Sequence, residues 1–214
     1  MLDLSFSRDS LVKGDRLVEV IQSKIGTGLI EDLPIKFTAV AADIAAEKEH
    51  WFQSGPIDQA IRASVSLPLF FAPYNVGGVQ LIDGGILNPT PIEPTLGDDT
   101  DLTLAVDLGG PMMKEAIPEP EKAQSPWQQK MDDFLDSMKS SESKPKDQWD
   151  MFYIADQSFN TMQNAIARIR MADNPPDHLI SVPRNKCGTL EFDRSAEMIE
   201  YGYRLAAEQL SSKI

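Results

Sequence analysis

Cysteine and histidine are scarce in this chain. The single cysteine, Cys187, has no partner for an internal disulfide and no histidine beside it in a recognisable motif, so it reads as an inert thiol. The two histidines, His50 and His178, border expected strands, and no triad motif surrounds either; surface or turn roles are expected. Basic residues are outnumbered, 20 Lys and Arg against 33 Asp and Glu. The resulting net charge of −13 argues against nucleic acid and against tight binding to anionic lipid surfaces. Apolar runs stop well short of the ~20 residues that a transmembrane helix needs. The start, MLDLSFSRDS, lacks the basic start and apolar core of a signal peptide, so the cytoplasm is the expected location. Metal-ligand spacing is absent too, and no cofactor is expected. What remains is an ordinary globular composition, 42% hydrophobic and 25% charged over 214 residues, enough for one domain with a core.

Hydrophobic spacing then divides the chain. Leu17, Val18, Ile21 and Ile25 recur at helical intervals after Lys13-Gly14-Asp15, and Gly26-Thr27-Gly28 stops that helix. Residues 34–43 (PIKFTAVAAD) form a nearly continuous apolar run, expected to be a strand covered on both faces as in a parallel sheet. A second strand is expected over 47–52, and another buried one over 101–108, closed by Gly109-Gly110-Pro111. Alternating strands and helices indicate an α/β architecture. Residues 111–147 change character: Pro, Lys, Ser and Glu dominate, as expected of a flexible insertion. Within it, Trp127, Met131, Phe134, Leu135 and Met138 share one face of a short amphipathic helix. That stripe suits packing on the domain or on an oligomer partner. A lid over an acyl chain is the sharper alternative, weakened by the acidic opposite face.

A long helix is expected over 148–171, with Phe152, Ala155, Phe159, Met162, Ile166 and Ile169 as its apolar seam. Asn174-Pro175-Pro176 ends it, and a last strand follows over 178–182. The C-terminal helix, with Asp193 as its expected N-cap, would bury Ala196, Ile199, Tyr203, Ala206 and Leu210.

The most informative stretch runs from Gly55 to Pro91. Pro56 opens a helix with apolar Ile57, Ala60, Ile61 and Val65, which ends at Ser64-Val65-Ser66-Leu67-Pro68. The apolar run from Val79 to Ile82 then delivers Asp83 at a strand exit, where open α/β sheets place their ligands. Gly84 and Gly85 allow a tight turn and close approach of other backbone or substrate. In order, Ala60-Ile61-Arg62-Ala63-Ser64, Pro68-Leu69-Phe70-Phe71-Ala72-Pro73, Leu81-Ile82-Asp83-Gly84-Gly85 and Asn88-Pro89-Thr90-Pro91 resemble the second signature block of bacterial patatin-like phospholipases. An Asp-Gly-Gly alone is common in turns; the ordered set is specific.

The resemblance implies a lipid acyl hydrolase working with a Ser–Asp dyad and no histidine, acting on a lipid or small ester. Asp83 matches the dyad aspartate, with Gly84 and Gly85 in the substrate loop. It also implies a three-layer patatin-like fold with a mainly parallel central sheet. The family's nucleophile sits in Gly-x-Ser-x-Gly on a strand-to-helix elbow, after a Gly-rich oxyanion loop. Neither motif occurs in these 214 residues. The chain therefore resembles the C-terminal part of the domain, strongly over 13–110 and loosely over 148–211. Residues 1–214 are expected to be a partial domain whose first strands come from a missing N-terminal segment, leaving runs 34–43 and 101–108 without neighbours. Ser64 and Ser66 lie outside any elbow and suit capping, while Arg62 and Asn88 suit fixing the local loops. The alternative is a catalytically inactive patatin-fold module that binds lipid or a protein partner.

Overall fold

A computed structural model describes residues 19, 22–68, 70–113, 151–188 and 191–211 of the chain. The chain divides into two compact units, one made of residues 1–103 and 161–176, the other of 104–160 and 177–214. The architecture is α/β. The expectations for the insertion at 111–147 and its helix fall outside the described residues, except at 111–113.

The first unit is built on four strands, β1 (Ala39–Asp43), β2 (Lys48–Phe52), β3 (Tyr74–Val76) and β4 (Val79–Asp83), in the order β2-β1-β4-β3. All three pairings are antiparallel. This corrects the mainly parallel sheet expected from the unbroken apolar run. That run reports burial on both faces rather than strand direction: all five residues of β1 are buried, and β1 is central in an antiparallel sheet. The strand is also shorter than expected. Residues 34–38 stay outside it, with Ile35 79% exposed and Lys36 paired to Asp98 at 2.6 Å. Nor does β1 lack neighbours, since it is flanked on both edges.

Local chemistry closes the two hairpins. Between β1 and β2 the Asp43 carboxylate accepts from the amides of Ala45 and Ala46, both at 3.0 Å, a side-chain-stabilised turn. Between β3 and β4, Gly77 (φ 59°) and Gly78 (φ 90°) take the positive-φ pair of a two-residue hairpin turn. Helix α1 (Ile57–Ser64) lays Ile57, Ala60 and Ala63 on the sheet, joining Ala39, Ala41, Phe52 and Leu81 in the core.

The second unit holds one parallel pair, β5 (Leu104–Gly110) and β6 (His178–Pro183). β5 was expected to be buried over 101–108; it starts later and alternates instead. Ala105 is buried, while Leu104, Val106 and Leu108 are exposed. Gly109 and Gly110 extend this strand rather than close it, with a register irregularity between Asp107 and Gly110. His178 is the first residue of β6 and His50 lies within β2, so both are strand residues.

Helix α2 (Met151–Asp173) matches the expected position but not the expected seam. Met162 and Ile169 are 58% and 65% exposed. The inward side, from Thr161 onward, carries Gln163, Ala167 and Arg170, of which Ala167 is buried. Phe159 and Ile166 of the expected seam are half-buried, so one edge of that stripe stays inward beside Arg170. Helix α3 (Ser195–Ser211) likewise exposes Ala196, Ile199 and Tyr203 and half-buries Met198, Tyr201, Leu205 and Gln209, with Ala206 and Leu210 kept inward as expected. Its entry is a 3-10 turn, Phe192–Arg194, so Asp193 lies inside a turn and does not cap the helix. Arg194 fixes that turn instead, pairing with Glu191 at 2.6 Å and Glu197 at 2.8 Å.

Candidate active site

Asp83 is the last residue of β4, paired in register with Ala41 of the enclosed strand β1. Its own amide donates to the carbonyl of Ser66 at 3.0 Å, so its backbone is fixed on both sides. Oδ1 accepts the Gly85 amide at 2.7 Å, opening a 3-10 turn over Gly84–Ile86. Burial pushes the Asp83 carboxyl above its usual range, and the Gly85 hydrogen bond only partly offsets that.

Gly84 is needed for space, and Gly85 lies close under a side chain of α2. A Cβ on Gly84 would run into the backbone carbonyl of Val40 in β1, and one on Gly85 would come within 2.8 Å of Gln163 Nε2. The turn is therefore packed against β1 on one side and helix α2 on the other. Amides of Leu87 and Asn88 both donate to the Gly84 carbonyl, at 3.0 and 2.9 Å, and carry the chain on to Pro89.

Asp83, Gly84, Gly85 and Asn88 line one cleft of about 380 Å³, along with Val40, Ile61, Val65 and Pro89. A raised carboxylate at a cleft of mixed polar and apolar lining can act as a base toward a hydroxyl, and Val40, Ile61 and Val65 offer contact to a hydrocarbon group. Ser64 lines the same cleft, at the end of α1. Ser66 is fully buried and engaged, donating to the Arg62 carbonyl at 2.8 Å and accepting from the Arg62 guanidinium at 2.5 Å. Arg62 is itself 3% exposed, reaches the Ala72 carbonyl at 3.2 Å and stacks over Phe71 and Tyr74. Both are loop-fixing residues.

Asn88 is 2% exposed, and its side chain leads to residues that local sequence patterns do not single out. Its Nδ2 donates to Glu49 of β2 at 3.2 Å and to Glu93 at 2.9 Å. Arg170 of α2 bridges the same two carboxylates. Burial alone would raise the Glu93 carboxyl, but Asn88, its own backbone and Arg170 together hold it below the usual range. The signal available in sequence was the polar pair Gln163 and Arg170, seven residues apart along the edge of the apolar stripe beside Phe159 and Ile166.

Cys187 stays a thiol: burial and then the nearby Glu191 carboxylate push it up. Among the described residues, no group of three or more His, Cys, Asp or Glu is placed to hold a metal, and no helix is long and apolar enough to cross a membrane.

An aspartate at the end of a strand, with a Gly-Gly turn packed under it, thus lies at a cleft of the first unit. Residues 1–96, which contain all of these, match the family model of patatin-like phospholipase. The match stops short of the loosely similar C-terminal region. An NTE family protein of Mycobacterium tuberculosis is 31% identical over 99% of this chain and 73% of its own length. A second NTE family protein of the same species is 33% identical over 50% of this chain and 18% of itself. Lysophospholipase NTE1 of the fungus Pyricularia oryzae is 25% identical over 98% of the chain and 13% of that much longer protein. The chain belongs to the patatin-like phospholipase family.

Proposed function

We propose that this chain carries the base of a lipid acyl hydrolase of patatin type, with Asp83 as the aspartate of a Ser–Asp dyad. The serine, in a Gly-x-Ser-x-Gly elbow, would come from a segment outside these 214 residues. The observation that carries the proposal is the Asp83 carboxyl itself: fixed by Gly85, raised by burial and lining a cleft, within the stretch that matches the family. The fungal relative's name supports a lysophospholipid or a related ester as substrate.

In this reading Asp83 takes the serine proton as the hydroxyl oxygen attacks the ester carbonyl. Backbone amides stabilise the resulting oxyanion. The alcohol leaves with the proton, and water attacks the acyl-enzyme with Asp83 again accepting a proton. Gly84 lets the turn pack directly on β1, which holds the carboxylate at the cleft.

The test is hydrolysis of a lysophospholipid and of p-nitrophenyl butyrate by the full-length protein. Replacing Asp83→Asn keeps the hydrogen bond to Gly85 but removes the base, and kcat should fall by ~10²–10⁴ with little change in KM. Equal turnover by the variant would remove Asp83 from the mechanism. Absence of turnover in the native protein would favour the binding module, the reading supported by the lack of Gly-x-Ser-x-Gly in these residues.

A further inference from the structure

We propose that Arg170 is a positioning residue for the Asp83 turn, acting through a closed bridge of Glu49, Glu93 and Asn88; the inference rests on the reading of Asp83 as a base. Arg170 Nη2 reaches Glu49 Oε1 at 2.5 Å and Nη1 reaches Glu93 Oε1 at 3.1 Å. The other oxygen of each carboxylate accepts from one nitrogen, Asn88 Nδ2, at 3.2 and 2.9 Å. Glu49 is held further by the Trp51 indole N–H at 2.6 Å. A guanidinium fork and a single amide thus close a ring on two carboxylates, drawn from β2, the Asn88 loop, the Glu93–Thr95 turn and α2.

The charges inside this ring are mostly out of water, with the Arg170, Glu49 and Glu93 side chains 34%, 13% and 17% exposed. Two carboxylates sharing one amide repel unless a cation lies between them, and only a planar fork serves both at once. Removing the cation from such a group leaves uncompensated charge. The strain would fall on Asn88, the one neutral member. Its backbone amide is hydrogen-bonded to Gly84, so a swing of Asn88 reaches the residue next to Asp83 directly. The same face of α2 touches the turn again two helical turns earlier, where Gln163 lies over Gly85. Helix α2 therefore approaches the turn at two points, the close packing of Gln163 over Gly85 and the charged ring.

Full-length protein carrying Arg170→Met, Arg170→Lys or the pair Arg170→Met with Glu93→Gln tests this. Two readouts are needed: kcat and KM for p-nitrophenyl butyrate, and amide hydrogen exchange at Gly85, Leu87 and Asn88. Arg170→Met should lower kcat by roughly tenfold to a hundredfold, the scale of a small misplacement, with KM nearly unchanged and exchange at the three amides faster. Adding Glu93→Gln removes one of the two carboxylate charges left unpaired, returning the ring to its native net charge, and should restore part of kcat, since members of one network couple. Arg170→Lys keeps the charge without the fork and should fall between, which decides the matter if the methionine variant does not fold. Native kcat and native amide protection in folded Arg170→Lys or Arg170→Met would overturn the proposal, as would no recovery in the double variant. If the native protein turns nothing over, the exchange data still decide the positioning, and only the reading of Asp83 falls.

Discussion

Strand β1 lies between β2 and β4 with all five residues buried, whereas β5 pairs with β6 alone among the described residues and turns Leu104, Val106 and Leu108 outward. The difference separates two ways of holding a structure together. Around β1 the chain uses close packing of small residues, Ala39, Ala41, Ala60 and Ala63, against Leu81 and Phe52. Such a core transmits small displacements, because it has no slack. The candidate site hangs from it, since Asp83 is in register with Ala41 and Gly84 sits against Val40. The second unit has an ion-pair cluster of its own, with Arg194 between Glu191 and Glu197 and Lys186 also on Glu197 at 2.9 Å, as the first has around Arg170.

That contrast orders the expected effects of substitution. Leu81→Ala empties a fully buried position beside β1 and should cost ~2–5 kcal/mol in urea unfolding. Gly84→Ala should come next, at about 1–3 kcal/mol, because the added methyl meets backbone that cannot move aside. Arg194→Ala should destabilise less than either, with the loss shrinking further at high salt. Leu108→Ser, on the outward face of β5, should stay within about 0.5 kcal/mol. A cost for Leu108→Ser as large as that of Leu81→Ala would break the comparison, showing that the face of β5 is covered in solution.

The pH dependence of stability sharpens the same contrast. Burial raises the Asp83 carboxyl above its usual 3.8, so the folded state holds that proton longer than the unfolded chain does. Its contribution is full below that value and is lost as pH rises through the raised one. Asp83→Asn should therefore gain stability over the wild type across that window and keep the gain at neutral pH, measured as urea midpoints at several pH values. Glu197 in the second unit behaves oppositely: Arg194 and then Lys186 hold it down to about 2, so its contribution disappears only as pH falls toward 2.

Much of the first unit was legible from sequence because its signals are local. Gly77-Gly78 specifies a hairpin, Pro56 starts a helix, and an ordered block of motifs put Asp83 at a strand end. Strand direction was not legible: the apolar run in β1 records how many faces are covered, and antiparallel central strands satisfy that as well as parallel ones. The helix faces failed for a related reason. Apolar spacing on α2 put Met162 and Ile169 inward, but the inward face is shifted toward Ile166, Ala167 and Arg170, and the two carboxylate partners of Arg170 lie 121 and 77 positions distant. No window along the chain brings Glu49, Asn88, Glu93 and Arg170 together.

Fluorophosphonate labelling of the full-length native protein, followed by mapping of the modified residue, tests the central claim most directly. The account predicts one labelled serine, outside the 214 residues and within Gly-x-Ser-x-Gly, whose labelling slows by ~10²-fold or more in Asp83→Asn. Label on Ser64, no label at all, or equal labelling rates in the two proteins would contradict it.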